Sequence, residues 1–309
     1  MNSAMQGTME FGVNLSFAPK RWPEPEAWAR IVREDMGLHL VQFSFDLLDP
    51  WWPDPARLQQ AERVRAAAQA AGITIHSAQI GIASYTFNGL LHPDPVVRDV
   101  GVTWWTRAIE VAAAMGAGAV GGPLGALTSS STLVEGERER RYDDVRAIIA
   151  GLADRAAAAG LRALLVEPTP QAREIPASIA ESVRLMRDLD GQCRVPVEYV
   201  LDIGHALYQP LYGPAARLDE WFAAVGSHIG ILHIQNTDFQ SDSHWGWPDA
   251  RGVYSVSEFA EQVRAAGLDA TPTFLEVFYP FELADDLVLA NAVSSVRHCL
   301  AELAQGGNS

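Results

Sequence analysis

Four apolar runs in the second half of this 309-residue chain each end on a side chain able to bind a metal or carry a proton. Leu164-Leu165-Val166 leads into Glu167, Tyr199-Val200-Leu201 into Asp202, Ile231-Leu232 into His233, and Phe274-Leu275 into Glu276. Taken singly, an acid after an apolar run is as readily a solvated rim residue as a ligand. Four in succession read as a set. Three carboxylates and one imidazole, with no thiolate, suit one divalent ion: Mn²⁺, Mg²⁺ or Co²⁺ first, with Zn²⁺ also compatible. Glu167 and Glu276 end runs three apart in the series, so in a ring of strands they face each other across the mouth. That placement fits acid/base work on either side of a substrate carbon.

Such side chains need a scaffold that aims strand ends at one point. Short apolar runs alternate along the chain with longer Ala/Arg/Glu segments of helical period, the pattern of repeated βα units around a parallel sheet. The expected strands are Phe11–Phe17, Leu38–Phe45, Ile73–Ile80, Ala117–Gly121, Leu161–Val166, Val197–Leu201, Ile229–Ile234 and Thr273–Val277. The expected helices are Glu24–Met36, Pro55–Ala71, Val96–Met115, Arg138–Ala159, Pro176–Leu189, Ala215–Val225, Val256–Ala266 and Asp285–Ala304. Eight of each predict an α/β fold, the (β/α)8 TIM barrel, as one domain over residues 1–309 with residues 1–10 as a flexible N-terminal extension. Gly37, Gly72, Gly160 and Gly267 each stand between a helix end and the next strand, the usual place for a glycine stop. The segments after strands, notably Asp46–Asp54, Gly81–Asp94, Gly122–Gly136 and Thr237–Tyr254, are long and would build the active face. Gly116-Ala117-Gly118-Ala119-Val120-Gly121 spells a dinucleotide fingerprint in the wrong order, closing a helix and entering a strand instead of the reverse.

Composition narrows the chemistry. A formal net charge of −15 with no basic stripe argues against nucleic acid as a partner. No stretch approaches the roughly 18 apolar residues of a membrane span, so no membrane association is expected. Met1–Glu10 lacks the basic and apolar regions of a signal peptide. With two cysteines, Cys193 and Cys299, the chain suits a reducing cytoplasm.

The order Glu167, Asp202-Ile203-Gly204-His205, His233, Glu276 resembles the xylose-isomerase-like barrel superfamily of sugar and sugar-phosphate isomerases and epimerases, over the whole chain. The resemblance implies that Glu167, Asp202, His233 and Glu276 bind one metal ion and that the two glutamates move protons on a small carbohydrate through an enediol-type intermediate. It implies that His205 contacts substrate oxygens. Epimerases of the superfamily commonly carry an arginine soon after the strand-seven histidine, where this chain reads Gln235-Asn236-Thr237-Asp238-Phe239. That string, followed by His244-Trp245, is nearer to the isomerases of short or branched sugars. The alternatives are a sugar dehydratase of the same superfamily, a metal-dependent phosphodiesterase like the AP-site endonucleases, and a barrel that binds sugar without catalysis.

Further candidates for substrate contact are polar residues in apolar strands and charged residues in loops. His76, alternating with apolar neighbours, is expected to project into the mouth, with a satisfied core histidine as the competing reading. Asn14 and Gln79 require hydrogen-bond partners, supplied by substrate or by neighbouring strands. Asp238, His244, Trp245 and Arg251 occupy the long loop after strand seven, and Arg251 is the first candidate for an anion, against a structural ion pair. Trp51, Trp52, Tyr85 and Phe87 suit either the apolar face of a sugar or packing between subunits, so a homo-oligomer is compatible with the sequence.

Overall fold

The computed structural model describes residues 9–87 and 89–305. Eight strands form a closed parallel barrel in sequence order, with β1 paired to β8. They are β1 Phe11–Asn14, β2 Leu40–Ser44, β3 Thr74–Gln79, β4 Ala119–Gly122, β5 Ala163–Val166, β6 Val197–Asp202, β7 Ile229–Ile234 and β8 Thr273–Leu275. Around them run α1 Pro25–Arg30, α2 Ala56–Ala70, the short α3 Ile82–Tyr85, α4 Pro95–Met115, α5 Glu137–Ala158, α6 Ile179–Leu189, the short α7 Ile203–Ala206 and α8 Gln209–Tyr212, α9 Leu218–Val225, α10 Val256–Ala265 and α11 Asp285–Gln305. The chain therefore has the (β/α)8 architecture, and among the described residues no helix is long and apolar enough to cross a membrane. Of the expected N-terminal extension, residues 1–8 lie outside the described residues. Met9 packs on the core and the Glu10 carbonyl accepts the Thr273 amide, so the barrel takes up the chain earlier than expected.

The glycine-rich run does what its order requires. Gly116 caps α4 in the left-handed region at φ 81°, which costs a residue without Cβ little. Gly121 lies within β4, where a Cβ would collide with the Leu165 carbonyl. No nucleotide loop is formed.

Alternation along each strand explains why the site residues converge. Leu40, Leu165, Val200, Ile231 and Phe274 belong to one buried cluster that fills the barrel interior. The residue two further on in each strand points the same way and one layer higher, giving Gln42, Glu167, Asp202, His233 and Glu276. Apolar side chains thus plug the foot, and polar ones crowd the mouth.

β3 breaks this rule once, and the break corrects the expectation for His76. The β2–β3 pairing passes from Val41↔Ile75 to Gln42↔Ser77, so His76 is the extra residue of a bulge. Ser77 and Gln79 take the upward positions. The His76 ring turns to the foot beside Phe274, and its Nε2 lies 2.6 Å from Arg162 Nη2, just before β5. His76 is a core histidine away from the mouth. Burial first, and the Arg162 charge second, lower it from 6.5 to about 4. Because the unfolded chain takes up this proton before the folded one, the stabilisation is complete above pH 6.5 and lost as pH falls toward 4. His76→Gln should therefore flatten that part of the stability–pH curve by roughly 3 kcal/mol relative to wild type in urea melts. Superimposable curves would contradict this assignment.

Candidate metal centre

Glu167, Asp202, His233 and Glu276 each offer a ligand atom within 4.8 Å of all the others, and all four side chains are buried. His233 Nδ1 stands at the centre, 3.0 Å from Glu276 Oε2, 3.5 Å from Glu167 Oε1 and 3.9 Å from Asp202 Oδ2. Each carboxylate commits its other oxygen to a neutral donor. Gln79 Nε2 donates to Glu167 Oε2 at 2.6 Å, Asn14 Nδ2 to Glu276 Oε1 at 2.9 Å, and Gln235 Nε2 with the His205 amide to Asp202 Oδ1 at 2.8 and 3.0 Å. The remaining oxygens face one another around His233. Asp202 Oδ2 and His233 Nδ1 are buried with no hydrogen-bond partner, and a buried polar atom in that condition is costly unless something binds it.

The electrostatics point the same way. Burial opposes charging of His233, but the Glu276 and Glu167 carboxylates outweigh it and push the ring up to about 10. A buried field this negative calls for positive charge, and a divalent ion would supply it where oxygen and imidazole donors already converge. The residues fit such an ion.

The sequence reading missed two supports of this centre. Gln42, fully buried on β2, accepts from His233 Nε2 at 2.6 Å and from Asn14 Nδ2 at 2.6 Å. The bond to Gln42 Oε1 keeps a proton on Nε2, so Nδ1 is the nitrogen that would give up its proton and offer a lone pair to an ion. The available signal was the same as for Asn14, an amide inside an apolar strand. Gln235, noticed only as part of a motif, does the corresponding work for Asp202. Gln42→Leu should weaken Mn²⁺ binding on the order of 10- to 100-fold in calorimetric titration. An unchanged affinity would show that the amide does not set the imidazole.

A second group adjoins the first. Asp242 Oδ1 lies 3.2 Å from His205 Nε2 and 3.0 Å from His244 Nε2. His205 Nδ1 donates to the Pro168 carbonyl at 3.1 Å, and His244 Nδ1 is 3.5 Å from Glu276 Oε2. Burial resists charging of both rings, yet Asp242 overrides it, holding His205 well above the usual imidazole range and His244 at about 9. The two rings, joined through Asp242, stand beside the ligand cluster and offer N–H groups suited to oxygen atoms of a polar ligand. Nothing in local sequence marked Asp242. Glu174, also unmarked, is buried near Tyr85 and Thr169, and burial lifts it to about 7.

Residues 30–292 match the model of the xylose isomerase-like TIM barrel. The chain belongs to this xylose isomerase-like family. Over 95% of its length it superimposes, with a TM-score of 0.92 and 42% identity, on 99% of a Rhodospirillum rubrum protein provisionally named a xylose isomerase. It is 24% identical over 241 residues, 76% of each chain, to the D-erythrulose 1-phosphate 3-epimerase of Brucella abortus (strain 2308). D-Psicose 3-epimerase of Clostridium cellulolyticum H10, at 17% identity and a TM-score of 0.71 over 96% of this chain and 99% of that one, shares the fold.

Within this xylose isomerase-like barrel the remaining expected contacts are scattered. Asn14 and Gln79 donate to Glu276 and Glu167, so groups on other strands of the barrel satisfy them. Asp238 stands apart in the β7 loop, accepting from Gln240 N and Ser241 N at 2.9 Å each, and is a turn residue. Arg251 is exposed, pairs with Asp249 at 2.6 Å, and stacks 4.5 Å over Trp245, so the ion pair expected as the competing reading is present. Trp51, Tyr85 and Phe87 wall an apolar cavity of about 320 Å³ beside Trp104, set off from the ligand cluster.

Proposed function

We propose that this chain is a divalent-metal-dependent isomerase or epimerase of a short ketose or ketose phosphate. The observation that carries the reading is the set of three buried carboxylates, each tied through one oxygen and presenting the other to His233. The bound ion, held by Glu167, Asp202, His233 and Glu276, would polarise the ketose carbonyl and acidify the neighbouring C–H. Glu167 and Glu276 do the proton work. One removes the proton from the carbon beside the carbonyl to give an enediol-type intermediate, and the other returns one from the opposite face. Asn14 and Gln79 fix the direction from which each base approaches. His205 and His244 donate to substrate oxygens and steady the charge that develops there.

The Brucella relative's named reaction, epimerisation of a four-carbon ketose phosphate, supports inversion at the carbon beside the ketone. The strand-seven loop lacks the arginine common among the epimerases, and Gln235 there holds Asp202. Mn²⁺, Mg²⁺ and Co²⁺ suit the donor set first. The test is proton NMR of tetruloses and pentuloses, free and phosphorylated, incubated with protein carrying each of these ions. One substrate should be converted and chelator should stop it; no conversion across the panel would sink the reading.

One observation favours the phosphodiesterase alternative: Asp202, His205 and His244 also bring ligand atoms within 4.8 Å of one another. A stoichiometry of one ion per chain supports the isomerase reading, and two or three would favour the alternative. With a net charge of −15, binding to plain duplex DNA is not expected.

A further inference from the structure

Lys20 is the single lysine of a chain that carries 22 arginines. It occupies the third position of the turn Ala18-Pro19-Lys20-Arg21, closed by the Arg21 amide donating to the Ala18 carbonyl at 3.1 Å. Its φ is 66°. Proline at the second place and a positive φ at the third describe a type II turn, where the third residue is normally glycine or asparagine. A lysine here carries backbone strain that a glycine would relieve.

The turn brings that ammonium to the rim of a cleft of about 940 Å³. Its lining includes Ser16 and Phe278, and both connect to residues of the candidate metal centre. The Ser16 amide donates to Asn14 Oδ1, and Phe278 sits edge-on to His244 with ring centroids 4.7 Å apart. Lys20, Trp245 and Arg251 line the same cleft. Lys20 Nζ lies 4.5 Å above the Phe281 ring and has no carboxylate partner among the described residues. Arg21 fastens the loop that presents this ring, donating to the Pro280 and Leu283 carbonyls at 2.7 and 3.2 Å. Arg251 faces the same cleft with Nε and Nη2 on Asp249, leaving Nη1 unengaged among the described residues.

We propose that Lys20 and Arg251 form a phosphate-binding rim that selects the phosphate monoester of a short ketose over the free sugar. An uncharged sugar gains little from an ammonium at the rim. A phosphate presents three oxygens and close to two negative charges, enough to accept from Lys20 and from Arg251 Nη1 without displacing Asp249. In a chain of net charge −15 such a ligand needs local cations to enter. The substrate preference rests on the ketose reading above, whereas the rim itself can be probed without turnover.

The direct probe is inorganic phosphate. With one lysine in the chain, acylation of Lys20 by an amine-reactive ester can be followed on a single peptide, separate from the N-terminal amine. Saturating phosphate should slow it about tenfold relative to chloride at equal ionic strength, and Arg251→Gln should lose most of that protection. Equal rates in phosphate and chloride overturn the rim. In turnover, Lys20→Gln should lower kcat/KM for a tetrulose phosphate at least about tenfold more than for the parent tetrulose, chiefly through KM. An equal fall on both overturns the proposal. If wild type converts neither sugar, the ketose reading fails and the acylation result alone decides the rim. Lys20→Gly should melt no lower than wild type while losing the same discrimination. Loss of stability with discrimination intact would make Lys20 structural and overturn it.

Discussion

Replacing Glu167 or Glu276 by glutamine is expected to reduce turnover on the order of 10²-fold or more, measured at saturating Mn²⁺. Saturating metal matters because the substitution is not electrically silent. Asn14 donates to one Glu276 oxygen and Gln79 to one Glu167 oxygen. A glutamine that turns its oxygen toward the ion position therefore sets its amide against another donor, and one that keeps the outer bond presents N–H₂ inward. Some metal affinity is lost in either orientation, and excess ion separates that loss from the loss of the base. The two variants should also differ from each other. With one base gone, the other still exchanges the proton of the epimer it faces, so deuterium from solvent should enter that epimer without inversion. Near-normal turnover in both variants would rule out proton transfer by this pair.

Asp202→Asn should remove metal and activity together. Asp202 Oδ1 accepts from Gln235 Nε2 and the His205 amide, while Oδ2 has no partner. An asparagine keeps both accepted bonds only by placing its oxygen where Oδ1 was, which points its N–H₂ into the space left for the ion. A donor then stands where a ligand is needed. In wild type, ion at about 100 times its Kd should add about 2.7 kcal/mol to stability, raising Tm by several degrees. The melt of the variant should not respond to Mn²⁺, and elemental analysis should find it empty. A variant that bound metal and turned over substrate would overturn the assignment of all four ligands, since Asp202 is the most deeply enclosed of the three carboxylates.

Much of this was legible along the chain because it depends on local periodicity. The alternation of apolar runs and helical segments specified eight βα units. Within a strand, a period of two decides which side chains share a face, so the ligand at each strand end could be read from the apolar residue two places before it. Gly116 illustrates the same locality, since a glycine that closes a helix is recognisable from its neighbours. His76 shows where locality fails. Its apolar neighbours suggested an upward position, but a bulge in the β2–β3 pairing handed that position to Ser77, and the neighbouring strand's register is not written in β3 itself.

The sequence by itself determined the barrel and the convergence of Glu167, Asp202, His233 and Glu276 at its strand ends, because strand periodicity and the types of the terminal residues are properties of short segments. Only the tertiary structure decided which carboxylate oxygen is tied and which is left for the ion, that Gln42 sets the His233 ring across 191 residues of chain, that Asp242 joins His205 to His244, and that Lys20 stands on the same cleft as Arg251. These pairings arise where closure of the barrel brings distant strand ends and loops together. A hydrogen bond or ion pair between such residues depends on separation in space, and no local pattern of residue types encodes that separation.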